Sequence, residues 1–134
     1  MKHVQKCVLL WHPAQAMYDL VADVERYPTF LPWCSAAEVL GRDAQSMKAK
    51  LHLHYAGLKH DFTTLNRVEP GRLLTMELVD GPFSMLDGRW DFTPLGAPGG
   101  PQGSKIEFDM RYAFKSKALE AVVSPVFDRI AATF

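Results

Sequence analysis

From residue 35 onward, apolar side chains recur at every second position of this chain, run after run. Successive side chains of an extended backbone point to opposite faces, so this alternation is what a half-buried strand needs. Glu38 to Leu40 is followed by a turn at Gly41-Arg42-Asp43. Residues 48–55 then carry bases on one face (Lys48, Lys50, His52, His54) and apolar groups on the other (Ala49, Leu51, Leu53, Tyr55). Gly57 interrupts the run, Phe62 to Val68 resumes it, and Glu69-Pro70-Gly71 turns it. Leu73 to Val79 extends again and ends at Asp80-Gly81-Pro82. Residues 83–93 set Leu86, Trp90 and Phe92 opposite Asp87, Arg89 and Asp91. Beyond a glycine- and proline-rich loop at 94–103, Ile106, Phe108, Met110 and Tyr112 face one way and Lys105, Glu107, Asp109 and Arg111 the other.

The two ends of the chain read differently. Lys2 to Trp11 reads as a strand, and residues 13–22 as a short amphipathic helix opening at Pro13, with Ala16, Met17, Leu20, Val21 and Val24 on its apolar side. Asp23 is placed to cap a second short helix, which Pro28 and Pro32 keep brief. Ser116 to Phe134 forms one long helix, with Leu119, Val123, Val126, Phe127, Ile130 and Phe134 in one stripe and a bend expected at Pro125. Consecutive strands joined by short turns pair antiparallel. The expected fold is therefore α+β: a curved antiparallel sheet of about six to seven strands around a long C-terminal helix, with two short helices after the first strand. One helix does not fill the hollow of so large a sheet, so the pattern permits an apolar cavity.

The chain has 134 residues, which fits a single domain spanning 1–134. Its 15 basic and 15 acidic residues balance, which removes the broad attraction behind nonspecific binding to nucleic acid, and no DNA partner is expected. Cys7 and Cys34 make no disulfide framework, and the apolar run before Pro13 is too short for a leader or a membrane span. A cytoplasmic setting follows, with contact at the periphery of the inner membrane compatible with it. No nucleophile elbow, phosphate loop or dinucleotide fingerprint occurs, so no enzyme activity is expected and no cofactor is required.

A long apolar ligand needs a lining without unpaired charge. Leu51, Leu53, Tyr55, Leu86, Trp90, Phe108, Met110, Tyr112, Phe127 and Ile130 stand at positions that form such a lining, although by periodicity alone each reads first as plain core. Tyr27, Phe30 and Trp33 lie in a loop fixed by two prolines, which forms either a cavity mouth or a plug on the core. Cys34 reads as a small buried hydrophobe. His52 and His54 share a strand face, but Lys48 and Lys50 share it too and oppose a cation, so no metal site is expected with them or with His60. That mildly basic face is the best place in the sequence for anionic lipid heads or another polyanion.

Residues 23–34, Asp-Val-Glu-Arg-Tyr-Pro-Thr-Phe-Leu-Pro-Trp-Cys, form a long and chemically unusual block. With Asp80-Gly81-Pro82-Phe83, Leu86, Gly88, Trp90, Phe92, Tyr112 and Ser124-Pro125-Val126-Phe127, it closely resembles the coenzyme Q-binding family of START-like helix-grip proteins, which also contains the ribosome association toxin RatA. The resemblance runs from residue 4 to the end. It implies a helix-grip fold with an apolar tunnel and, as ligand, ubiquinone (coenzyme Q) bound in support of respiration. The alternative it implies is a RatA-type toxin that binds the large ribosomal subunit and blocks subunit association; polyketide cyclisation ranks below both. Family members carry the last helix beyond the position of Phe134, so this helix is expected to be truncated. They often have a small residue where His12 stands.

Overall fold

A computed structural model describes residues 2–55, 58–96, 100, 102–118, 120–121 and 124, with backbone alone at Tyr55 and Leu58. Seven strands make one antiparallel sheet in the order β1-β7-β6-β5-β4-β3-β2. They are β1 (Lys2–Leu10), β2 (Cys34–Arg42), β3 (Ser46–Tyr55), β4 (Leu58–Glu69), β5 (Leu73–Asp80), β6 (Phe83–Leu95) and β7 (Gly103–Phe114). Helix α1 (Ala14–Ala22) and a 3₁₀ helix (Val24–Thr29) join β1 to β2. Helical backbone resumes at Lys117, where the Glu120 N–H donates to the Ser116 carbonyl at 2.9 Å. The stripe at Leu119, Val123, Val126, Phe127, Ile130 and Phe134 and the bend at Pro125 lie outside the described residues.

Every neighbouring strand except β1 is joined by a chain connection, so β2 through β7 form a meander and only β1 returns from a distance. Register shifts in β2, between Thr63 and Thr64, and between Phe83 and Met85 mark bulges. A bulge bends its strand and adds twist, which curls the sheet. The alternation read from β6 and β7 is observed. Leu86, Trp90 and Phe92 of β6 and Ile106, Phe108, Met110 and Tyr112 of β7 are buried, while Asp87, Arg89, Glu107 and Arg111 are exposed. Leu86 stands opposite Tyr112, Trp90 opposite Phe108 and Phe92 opposite Ile106, so the two strands build one inner face. Trp90 packs on Phe108 with ring centroids 4.3 Å apart. Burying a side chain of this size contributes about 1.5–3 kcal/mol, which makes the face the main stabilising surface of the fold.

Several boundaries differ from those the sequence suggests. Strand β2 begins at Cys34 rather than Glu38, because the backbone pairs with β3 from Cys34 opposite Leu53. Helix α1 buries Ala14 and Tyr18 and half-buries Met17 and Val21, while Ala16 and Leu20 are exposed. The helix is rotated from the expected apolar side because the Tyr18 ring packs edge-on against Phe92 at 5.6 Å, and that contact selects the face. Pro13 precedes the helix, and its carbonyl accepts the first helical bond from the Met17 N–H at 3.2 Å. Asp23 makes no side-chain cap. Its carbonyl accepts from the Arg26 N–H at 3.1 Å, so backbone alone starts the 3₁₀ helix.

Turn chemistry is specific at two places. The Asp43 carboxylate accepts the Gln45 and Ser46 N–H groups at 2.8 Å each and the Ser46 hydroxyl at 3.1 Å, closing the β2–β3 turn. These donors hold the carboxyl below its ordinary pKa. Gly81, at φ 152°, lies where a Cβ would sit 2.8 Å from the Phe62 Cβ. On the outer face His3 and Gln5 of β1 bond the Asp109 carboxylate of β7 at 2.8 and 3.1 Å. Burial pulls the Asp109 pKa up, but these bonds and the charges of His3 and Arg111 outweigh it, leaving it below the ordinary value.

Two outcomes follow. Gly81→Ala should lose about 1–3 kcal/mol through strain and the clash with Phe62, whereas Gly41→Ala, with open space around it, should not. Equal chemical-denaturation midpoints for the two variants would contradict this. A depressed folded-state pKa at Asp109 stabilises above the unfolded-state value and is lost as pH falls through the folded one. Acidification should therefore loosen β1 from β7, and Asp109→Asn should be less stable at neutral pH but less acid-sensitive. Hydrogen exchange of the β1 amides against pH measures it.

Candidate functional site

The strand register gathers a single inner face. Leu51 of β3 stands between Ala37 and Phe62, and Leu53 stands opposite Cys34. Leu74 meets Trp90, and Met76 meets Gly88, which in turn faces Met110. Seven of the residues expected to line a cavity, Leu51, Leu53, Leu86, Trp90, Phe108, Met110 and Tyr112, are all buried on this face. Tyr55 contributes backbone to β3, while its side chain and all of Phe127 and Ile130 lie outside the described residues.

The proline loop behaves differently. Tyr27 is buried, and its hydroxyl donates to the Val21 carbonyl. Burial, then the nearby Cys34 thiol and Asp23, push the phenol well above its usual range, so it stays a donor. Trp33 is buried, and its carbonyl accepts from the His54 N–H at 2.9 Å, tying the loop to the end of β3. Phe30 is 47% exposed and meets Tyr27 edge-on at 5.8 Å. Tyr27 and Trp33 thus pin the loop, and Phe30 is its outward apolar group. The buried Cys34 thiol donates to the Ala36 carbonyl at 3.3 Å, and burial raises its pKa above the ordinary value, which disfavours the reactive thiolate.

Two polar residues of the inner face escape a reading by apolar periodicity. Thr64 and Asn66 of β4 are 4% and 3% exposed. They point inward with Phe62, since Thr64 pairs with Ala49 and Leu78, and Asn66 with Met47 and Met76. The Thr64 hydroxyl donates to the Asn66 Oδ1 at 2.8 Å. The Asn66 amide nitrogen has no hydrogen-bond partner among the described residues. The readable signal was there: within Phe62 to Val68, positions 64 and 66 fall in the inward phase.

The outer face carries charge. Lys50 reaches Asp61 at 3.9 Å, and His52 lies between Asp61 at 2.8 Å and Glu38 at 3.1 Å. Lys48, His54, Lys59 and Arg67 share that face by register, with no acidic partner among the described residues. The basic strand face expected from residues 48–54 is therefore half neutralised by acids from β2 and β4, and its open cations are Lys48, Lys59 and Arg67. His60 pairs with Leu53 and so falls on the opposite face from His52 and His54. Among the described residues no group of three or more His, Cys, Asp or Glu is placed to hold a metal, and no helix is long and apolar enough to cross a membrane.

Against known proteins, the family described as "Polyketide cyclase / dehydrase and lipid transport" matches residues 10–134. The ribosome association toxin RatA of Pseudomonas aeruginosa is 40% identical over 131 residues, covering 98% of this chain and 88% of that one. The mitochondrial coenzyme Q-binding protein COQ10 homolog B of Xenopus laevis is 30% identical over 117 residues, 87% of this chain but 48% of that protein. In three dimensions, a START superfamily protein from Mycobacterium smegmatis superposes with TM-score 0.73 at 20% identity, over 97% of this chain and 92% of that one. The meander, the returning first strand and the single inner face are thus shared with START-like proteins, and the chain belongs to the polyketide cyclase / dehydrase and lipid transport family, in the branch that resembles RatA.

Proposed function

We propose that this protein associates with the large ribosomal subunit and opposes subunit joining, as a RatA-type toxin. The observation that carries this reading is identity of 40% with a ribosome association toxin along nearly the whole chain. The outer face supplies a physical means. Lys48, Lys59 and Arg67 are exposed on adjacent strands, and cations without local partners neutralise phosphates best. Lys50 and His52 contribute less, since Asp61 and Glu38 already hold them.

The protein should cosediment with large subunits at low salt and lower the fraction of joined ribosomes in a gradient. The Lys48→Glu, Lys59→Glu double variant should bind at least tenfold more weakly, and Lys50→Glu should lose less. Absence of cosedimentation at low salt, where such contacts are strongest, would remove the reading.

A second reading rests on the inner face and on the likeness to a coenzyme Q-binding protein: the fold holds a ubiquinone-like lipid against β3 to β7. Trp90, buried on that face beside Phe108, is its reporter. Ubiquinone titration should quench tryptophan emission saturably, and Trp90→Phe should remove most of the change. Quenching that stays linear with concentration would count against any site.

A further inference from the structure

We propose that Thr64 and Asn66 form a polar anchor that receives a neutral carbonyl oxygen, of the quinone or ester class, on an otherwise apolar molecule lying along the inner face. This rests on the lipid-binding reading and assigns it a specific contact. Asn66 is 3% exposed, yet its amide nitrogen is committed to no described residue. The Thr64 hydroxyl donates to the amide oxygen, and the amide nitrogen is turned away from it. What remains to offer is a pair of N–H donors, and a donor pair recognises an acceptor oxygen.

The surroundings decide what kind of oxygen. The residues paired with Asn66 and Thr64 on both sides are Met47, Ala49, Met76 and Leu78. None of these is charged, so a carboxylate placed among them would have no counter-ion on the neighbouring strand positions. A neutral carbonyl brings no such penalty, and its attached apolar body can lie on the same methionine, leucine and aromatic surface. Met76 and Met110 on either side of Gly88 give that surface adaptable walls.

The position also accounts for a local oddity of the sequence. β4 puts Thr64 and Asn66 in its inward phase, between Phe62 and Val68, and the two bond each other.

The test uses the full chain and three probes: a short-tailed ubiquinone, a long-chain fatty acid methyl ester, and a hydrocarbon of matching length. Binding is read by displacement of a fluorescent apolar probe. The intact protein should prefer both carbonyl probes over the hydrocarbon by about five- to tenfold, the size of one net hydrogen bond. Asn66→Leu should fold with somewhat lower thermal stability, because it leaves the buried Thr64 hydroxyl without its acceptor, yet bind the hydrocarbon unchanged and lose that preference. Asn66→Asp, which replaces the donors with oxygen, should disfavour the carbonyl probes further. In the intact protein, the Asn66 side-chain NH₂ resonances should move with ubiquinone and not with hydrocarbon. A preference for the quinone alone would assign the anchor to a ring oxygen. Equal binding of all three probes, or a preference that survives Asn66→Leu, would overturn the anchor while leaving lipid binding in place. Binding of none of them would overturn both.

Discussion

The organisation of this protein depends on one face. Six consecutive strands in a meander, with a seventh returned from the N-terminus, turn their apolar side chains the same way. The resulting surface is held by aromatic packing rather than by charge. Phe83 meets Phe62 edge-on at 5.9 Å and stacks on Phe114 at 5.2 Å, while Trp90 joins Phe92 to Phe108. Everything else is placed by the need to cover that face. Helix α1 takes the end above β6 through Tyr18, and the proline loop closes the end beside β2 through Tyr27 and Trp33. The outer face is free of that demand and carries the charges.

This division separates two kinds of surface on one small domain. The inner face is mostly apolar among the described residues. The outer face has cations on β3 and β4. The two surfaces are independent, because strand alternation assigns adjacent residues to opposite sides: Lys48 looks outward while Met47 and Ala49 look inward.

Much of the fold was legible in the sequence where alternation was sharp. In β6 and β7 charged and aromatic residues trade places at every step, so faces and partners could be read directly. The resemblance carried by residues 23–34 and 80–92 supplied the family, which periodicity alone does not. Where the reading failed, a contact from far along the chain decided the outcome. Tyr18 chose the buried side of α1 by meeting Phe92, against the better-looking apolar row that included Leu20. Lys50 and His52 looked like open bases until Asp61 and Glu38 arrived from neighbouring strands. Thr64 and Asn66 were visible as residues but not as a buried bonded pair, because an apolar search passes over polar groups.

The returning strand has a consequence for the order in which the molecule assembles. β2 to β7 can zip up by local hairpins as they emerge during synthesis, but β1 is made first and its partner β7 last, with His3 and Asp109 separated by 106 positions. Closing so long a loop is slow compared with forming a hairpin. Throughout that interval a nascent segment with Leu9 and Trp11, still 69% and 84% exposed in the finished fold, is an unpaired strand bearing apolar groups. The vulnerable moment for this protein is therefore the wait of its first strand for its last, when a chaperone or another chain can capture the N-terminus before β7 does.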